Sequence, residues 1–192
     1  DTLPEEKSRG MTINLGFTQI KFKNGSKVGL VDVPGHEKFI KNMSAGVSGV
    51  DYLLLVVACD DGIMPQTEEH FRIAELFGVK RGMILLTKRD LVSDERFEEV
   101  KLQCREYFSK SFLSDSPLLS LSIKNPQDYE VLKDTLQKEL EKIEVEKKDR
   151  VFRMDIDRVF SVKGFGCVVT GTIKSGSLKI NDTLTIYPQN ID

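Results

Sequence analysis

No apolar run in these 192 residues approaches the roughly 20 residues that a membrane-crossing helix needs. The longest candidate, Tyr52 to Ala58, is the size of a core strand, so no membrane role is expected. Cysteine is scarce: Cys59, Cys104 and Cys167 are odd in number and widely spaced, with no CxxC pair. This argues against zinc or redox chemistry and suits a reducing, cytoplasmic location. Charge of one sign is also lacking, since 28 Lys and Arg stand against 30 Asp and Glu. A net charge of -2 gives no global attraction to nucleic acid, so any RNA contact needs a local patch or sequence outside this chain. There is no initiator methionine and nothing resembling a signal peptide. The chain opens on the polar DTLPEEKSRG and stops at Asp192 shortly after a strand-like run, which reads as a fragment. Its length allows one domain of about 150 residues and part of another.

Against these absences stands one informative stretch, VDVPGHEKFIKNM, Val31 to Met43. An apolar run ends in Asp32, breaks at Pro34-Gly35 and restarts as a helix pattern carrying Phe39, Ile40 and Met43. A strand tip, an acid, a tight turn and a helix start are the parts of a phosphate site in α/β nucleotide-binding proteins. In that reading Asp32 reaches a magnesium ion through water, the Gly35 amide faces a terminal phosphate, and His36 stands beside an attacking water. A bare Asp-x-x-Gly also fits an ordinary turn after a strand. The odds rise because RGMTI lies upstream and TKRD downstream, at the spacing a GTPase needs.

Taken in order, Ile13, Leu15 and Phe17 alternate with polar residues, and Ile20 and Phe22 take the opposite phase, which predicts a strand with a bulge. Asn24-Gly25 signals a hairpin, with Lys27 to Val33 as the returning strand. Tyr52 to Ala58 predicts a strand buried on both faces of a parallel sheet. A helix follows from Thr67 and Glu68 to Gly78, then a strand at Met83 to Leu86, a helix over Asp94 to Phe108, a strand at Pro117 to Leu121 and a helix over Tyr129 to Ile143. This alternation is the doubly wound α/β pattern. EVEKKDR, 144–150, reads as a solvated linker. Beyond it FRMDIDRVFSV, CVVTGTI and TLTIY are β-rich runs that predict the start of an antiparallel barrel. The expected division is 1–144, a linker at 145–150, and 151–192.

RGMTI places Thr12 at the edge of the first strand, where a switch threonine closes over a third phosphate with its hydroxyl on magnesium; a surface threonine is the alternative. In TKRD, Asp90 can accept the ring NH and exocyclic amine of guanine, a donor pair that adenine does not present. Lys88 would lay its alkyl stem along the base; a helix-capping aspartate is the competing reading. Ser122, in LSIK, is the expected loop beneath the base, or an ordinary turn serine. Of the two histidines, His36 is the candidate for orienting water by position, and His70 reads as structural. The phosphate-cradling loop GxxxxGK[ST] is absent, so this piece alone is expected to bind GTP poorly.

DTLPEEKSRGMTINLGF, DVPGHEKFIKNM, VVACDDGIMPQT, LLTKRD and FSVKGFGCVVTG together resemble the selenocysteine-specific elongation factors. The likeness covers nearly the whole chain, with Arg96 to Ser116 the least distinctive part. Thr87, where the broad GTPase pattern has asparagine, is familiar in this branch, and Ile123 departs from the common SAK. The resemblance implies a P-loop GTPase-type domain from its first switch onward, lacking its N-terminal part, followed by part of a β-barrel. It implies GTP or GDP with Mg2+ as ligands, and selenocysteinyl-tRNA and the ribosome as partners of a monomeric cytoplasmic factor. Missing C-terminal domains would recognise a hairpin in the message. Thr12, Asp32, Gly35 and His36 would be switch and hydrolysis residues, and Thr87, Lys88, Asp90 and Ser122 would read guanine. Asp157 and Arg158, with Phe17 as an aromatic wall, match the place where the family holds the selenocysteine side chain; a guanidinium favours an ionised selenol over a hydroxyl. A surface ion pair is the alternative there. A module without a phosphate loop that only binds RNA or protein, and a carrier of ordinary aminoacyl-tRNA, are the rival functions.

Overall fold

The structure is a computed structural model and describes residues 15–33, 50–143 and 151–188. The chain divides into two compact units, Asp1–Glu144 and Val145–Asp192. In the first, β1 (Gly16–Lys21) and β2 (Lys27–Asp32) form an antiparallel hairpin. Gly25 sits in its turn at φ 83°, a left-handed conformation that suits glycine. Pairing runs without interruption from Gly16 opposite Asp32 to Lys21 opposite Lys27, so the expected bulge is absent. The change of phase has another cause: Ile20 and the buried Phe22 face a core, whereas Phe17, on the other side of the pleat, is exposed.

β3 (Leu53–Ala58), β4 (Gly82–Thr87) and β5 (Leu118–Ser120) form a parallel sheet in the order β3-β4-β5. The helices α1 (Pro65–Leu76), α2 (Asp94–Tyr107) and α3 (Pro126–Glu141) separate the strands in sequence. Two of them begin earlier than apolar periodicity predicts, because Pro65 and Pro126 occupy first-turn positions where no amide is needed. Local caps complete these starts. Thr67 Oγ1 accepts from the Met64 amide at 3.2 Å, Ser93 Oγ from Arg96 at 3.3 Å, and Asn125 Oδ1 from Gln127 at 3.2 Å.

The alternation of side chains along β4 divides the core. Ile84 and Leu86 turn to one face, where they meet Leu55, Val57, Phe71, Val100, Cys104 and Phe108. Met83 and Leu85 turn to the other, against Leu136, Phe22 and their neighbours. α1 and α2 thus cover one side of the sheet and α3 the other, as a doubly wound layer requires. Ring contacts knit the first cluster: Phe71 meets Phe108 edge-on at 4.9 Å and stacks on Phe112 at 5.3 Å. His70 is partly buried on α1.

In the second unit, β6 (Arg153–Val162) and β7 (Gly166–Ser175) pair antiparallel. Bulges fall here instead, between Arg153 and Met154 and between Ile156 and Arg158. TLTIY does not extend this ladder; among its residues only Ile186 makes an isolated bridge. Its alternation is that of a strand, but strand propensity is realised only with a partner edge.

Candidate guanine-nucleotide site

Three strand ends lie side by side at the C-terminal edge of the parallel sheet. The Cys59 amide donates to the Thr87 carbonyl at 2.9 Å, and the Leu121 amide to the Leu86 carbonyl at 2.8 Å. Thr87 also turns its hydroxyl toward the Val57 carbonyl at 3.5 Å. Open α/β sheets bind ligands at this edge. Here the chain leaves β4 through Lys88, which adopts a left-handed conformation at φ 57°, and enters a 3-10 turn at Arg89–Leu91. Arg89 is pinned away from the edge by the Val92 carbonyl at 3.1 Å, the Asp94 carboxylate and the Phe97 ring, 4.6 Å from its guanidinium. Its neighbours Lys88 and Asp90 are left to meet the loops after β3 and β5.

Asp90 is held from two sides. Ser122 Oγ donates to its Oδ1 at 2.8 Å, and Lys124 Nζ lies 2.8 Å from Oδ2. Ser122 is itself buried and fixed, its amide donating to Asp128 Oδ2 at 2.8 Å and its hydroxyl accepting from the Lys124 amide at 3.1 Å. The Lys124 ammonium, and then the Ser122 hydroxyl, hold the Asp90 carboxyl below the usual carboxylate range. Asp90 is therefore an anion at neutral pH. With its side chain 19 % exposed, it presents an oriented pair of acceptors to a planar edge bearing two adjacent N–H groups.

Lys88 reaches the loop after β3, with Nζ 2.7 Å from Asp60 Oδ2 and 3.4 Å from Asp61 Oδ2. Its hydrogen bond to Asp60 raises the ammonium above its ordinary pKa and lowers that of the carboxyl. Sequence reasoning did not single out Asp60, Asp61, Lys124 or Asp128. The available signal was position: Asp60 and Asp61 directly follow the β3 run, Lys124 sits in the turn after β5, and Asp128 is in the first turn of α3.

The other expected site residues fall elsewhere. Asp32 ends β2, exposed, opposite Gly16. A side chain at residue 16 would stand 3.2 Å from the Asp32 Cβ, so glycine leaves that carboxylate its space. Among the described residues no group of three or more His, Cys, Asp or Glu is placed to hold a metal. Asp32 offers one hard oxygen donor at a strand end, which fits magnesium bound through water but is not a complete site. Thr12, Gly35 and His36 lie outside the described residues. Phe17 is 60 % exposed on β1. On β6, Ile156 pairs with Gly171 and Arg158 with Thr170, making Asp157 the extra residue of a bulge. The side chains of Asp157 and Arg158 lie outside what the structure describes. Among the described residues no helix is long and apolar enough to cross a membrane.

A parallel sheet with an acid-bearing turn at its C-terminal edge defines the class, and sequence comparison agrees: residues 1–167 match the family described as elongation factor Tu GTP binding domain. The chain belongs to that family, with its P-loop GTPase fold. Within it, the chain is 44 % identical over 190 residues to the selenocysteine-specific elongation factor of Escherichia coli K12, covering 99 % of this chain and 31 % of that protein. A crystal structure of a bacterial selenocysteine-specific elongation factor, EF-Sec, superimposes with a TM-score of 0.92 at 38 % identity, covering 100 % of this chain and 33 % of that one. The Methanococcus maripaludis elongation factor SelB, in complex with the GTP analogue GPPNHP, gives 0.85 at 30 % identity, covering 94 % and 40 %. The chain thus spans about a third of the length of the bacterial relatives it matches.

Proposed function

We propose that the gene-length protein carrying this chain is a translational GTPase that brings selenocysteinyl-tRNA to the ribosome and hydrolyses GTP on correct decoding. The observation that carries the reading is the Asp90 carboxylate, oriented by Ser122 Oγ at 2.8 Å at the C-terminal edge of the sheet. It is a built acceptor pair for the guanine ring NH and exocyclic amine, and its arrangement suits no adenine edge. Lys88 lies along the base, and Thr87 holds the end of β4 to β3. Asp32, with Thr12, would hold Mg2+, the ion that supplies charge neutralisation at the phosphates. Gly35 faces the terminal phosphate, and His36 orients water. The pieces are a partial GTP-binding domain over 1–144, a linker at 145–150 and a partial β-barrel domain over 151–192. Asp157 and Arg158 on β6 are the candidates for holding the side chain of the cargo amino acid.

The cargo reading is supported by the names of the relatives and by the whole-chain likeness to them. The factor is a cytoplasmic monomer that reaches a message hairpin through further domains. Competition of GDP and ADP for the gene-length protein tests the base site: preference for GDP is expected, and equal displacement by ADP ends the guanine reading. Affinity for selenocysteinyl-tRNA against seryl-tRNA on the same tRNA body tests the cargo, and equal affinities would remove it. His36→Ala is expected to abolish ribosome-stimulated hydrolysis while leaving nucleotide affinity intact; unchanged hydrolysis would take the role from His36.

A further inference from the structure

The Asp60-Asp61 pair lies outside the base-reading turn, yet it is where the Lys88 ammonium ends. The turn that delivers it is tightly specified. Gly62, at φ 78°, returns its amide to the Ala58 carbonyl at 2.8 Å, and a side chain there would meet the Arg96 guanidinium at 3.3 Å. Arg96 in turn donates to the Asp60 carbonyl at 3.3 Å and to Glu99 Oε2 at 2.9 Å. The Asp61 amide donates to Asp60 Oδ1 at 3.0 Å, which leaves Oδ2 for Lys88 at 2.7 Å. One oxygen of Asp60 is thus spent on its own turn and the other on the lysine. The turn is braced on α2 and placed beside Thr87 by the Cys59 amide.

Lys88 needs such a brace. It carries a long, freely rotating stem and sits in a left-handed backbone conformation disfavoured for any residue with a Cβ. A lysine stem that is to lie flat along a base must be fixed at both ends, and its backbone fixes only one. We propose that Asp60 is a positioning residue for guanine-nucleotide binding: it anchors the Lys88 ammonium, with Asp61 at 3.4 Å as a second acceptor, so that the alkyl stem is preorganised against the base. Asp60 touches no nucleotide in this role and acts only through Lys88. The inference rests on the guanine reading of the Asp90 turn.

The ion pair is partly solvent-exposed, so the effect is modest. Asp60→Asn should weaken GDP binding by about two- to five-fold, the range of an exposed charge pair. The pair of substitutions Asp60→Asn and Asp61→Asn should weaken it further. The experiment measures GDP affinity of the gene-length protein by calorimetry for wild type, Asp60→Asn, Lys88→Met and the Asp60→Asn/Lys88→Met double variant, with melting temperatures alongside. The expected result is a loss from Asp60→Asn in the wild-type background, none in the Lys88→Met background, and recovery in Asp60→Glu. A loss of equal size in both backgrounds, or no loss in the first, overturns the proposal while leaving the Asp90 site standing. A wild type that binds no guanine nucleotide overturns the parent reading and the proposal together.

Discussion

Removing one charge at Asp90 tests the base site most directly. Asp90→Asn keeps the volume and one acceptor but replaces the second acceptor with a donor, which would face either Ser122 Oγ, now at 2.8 Å from Oδ1, or the Lys124 ammonium, 2.8 Å from Oδ2. Either arrangement costs a charge-assisted contact within the protein and one of the two bonds to guanine. A hydrogen bond to a charged group is commonly worth about tenfold or more in binding; losing one bond to guanine, and the charge that strengthens the other, predicts a fall of about a hundredfold in GDP affinity. The chemistry of the ligand gives a sharper readout. Inosine diphosphate lacks the exocyclic amine, so the wild type should bind it about tenfold more weakly than GDP. In Asp90→Asn that difference should shrink, because the bond to the amine is either lost or no longer assisted by charge. Equilibrium titration of both nucleotides against both proteins supplies the four numbers. If guanine keeps the same advantage over inosine in Asp90→Asn, the amine is read elsewhere and the assignment of Asp90 fails.

Phe71→Ala, which empties the buried ring site between Phe108 and Phe112, should cost about 3–5 kcal/mol of stability by denaturant titration; a cost below that range would mean that the sheet face collapses to fill the gap. Gly82→Ala should destabilise by about 1–3 kcal/mol, since a Cβ would stand 2.7 Å from the Leu53 carbonyl oxygen on the neighbouring strand, and an unchanged melting curve would contradict that contact. Thiol titration should find Cys167 reactive in the native protein and Cys59 and Cys104 protected until denaturant is added, because burial raises the Cys59 thiol and pushes Cys104 up to about 11. The carboxyls of Asp60 and Asp90, from an ordinary 3.8, and of Glu95 and Glu130, from 4.5, are all depressed in the fold. Their stabilising contribution is complete above those ordinary values and is lost as pH falls through the lower folded ones. Denaturation midpoints should accordingly decline only on entering the acid range, and a decline already complete near neutral pH would point to other groups.

The central strand of the sheet is readable in advance because it is buried on both faces. MILL in β4 has nowhere to lie except between two covered layers, whereas in β3 Leu55 and Val57 are buried but Val56, on the other side of the pleat, is 56 % exposed, so the burial on both faces expected of LLLVV is not met; Gly and Pro punctuate both runs. The helix starts were displaced by a few residues where proline and local caps, rather than apolar period, set the first turn. Phe17 shows the limit of counting: its change of phase looked like a bulge, but a regular pleat puts it on the open side. TLTIY has the alternation of a strand, yet its residues do not join a ladder.

The sequence by itself determined the alternation of buried strands and amphipathic helices, the hairpin at Asn24-Gly25, and which acid follows which strand, because periodicity, turn chemistry and apolar run length act over a few neighbouring residues. Only the tertiary structure decided that the Asp90 carboxylate is shared by Ser122 and Lys124, and that the Lys88 ammonium ends on Asp60 and Asp61. These partners lie about thirty residues apart along the chain. They meet only because parallel pairing of β3, β4 and β5 aligns three strand ends in one row.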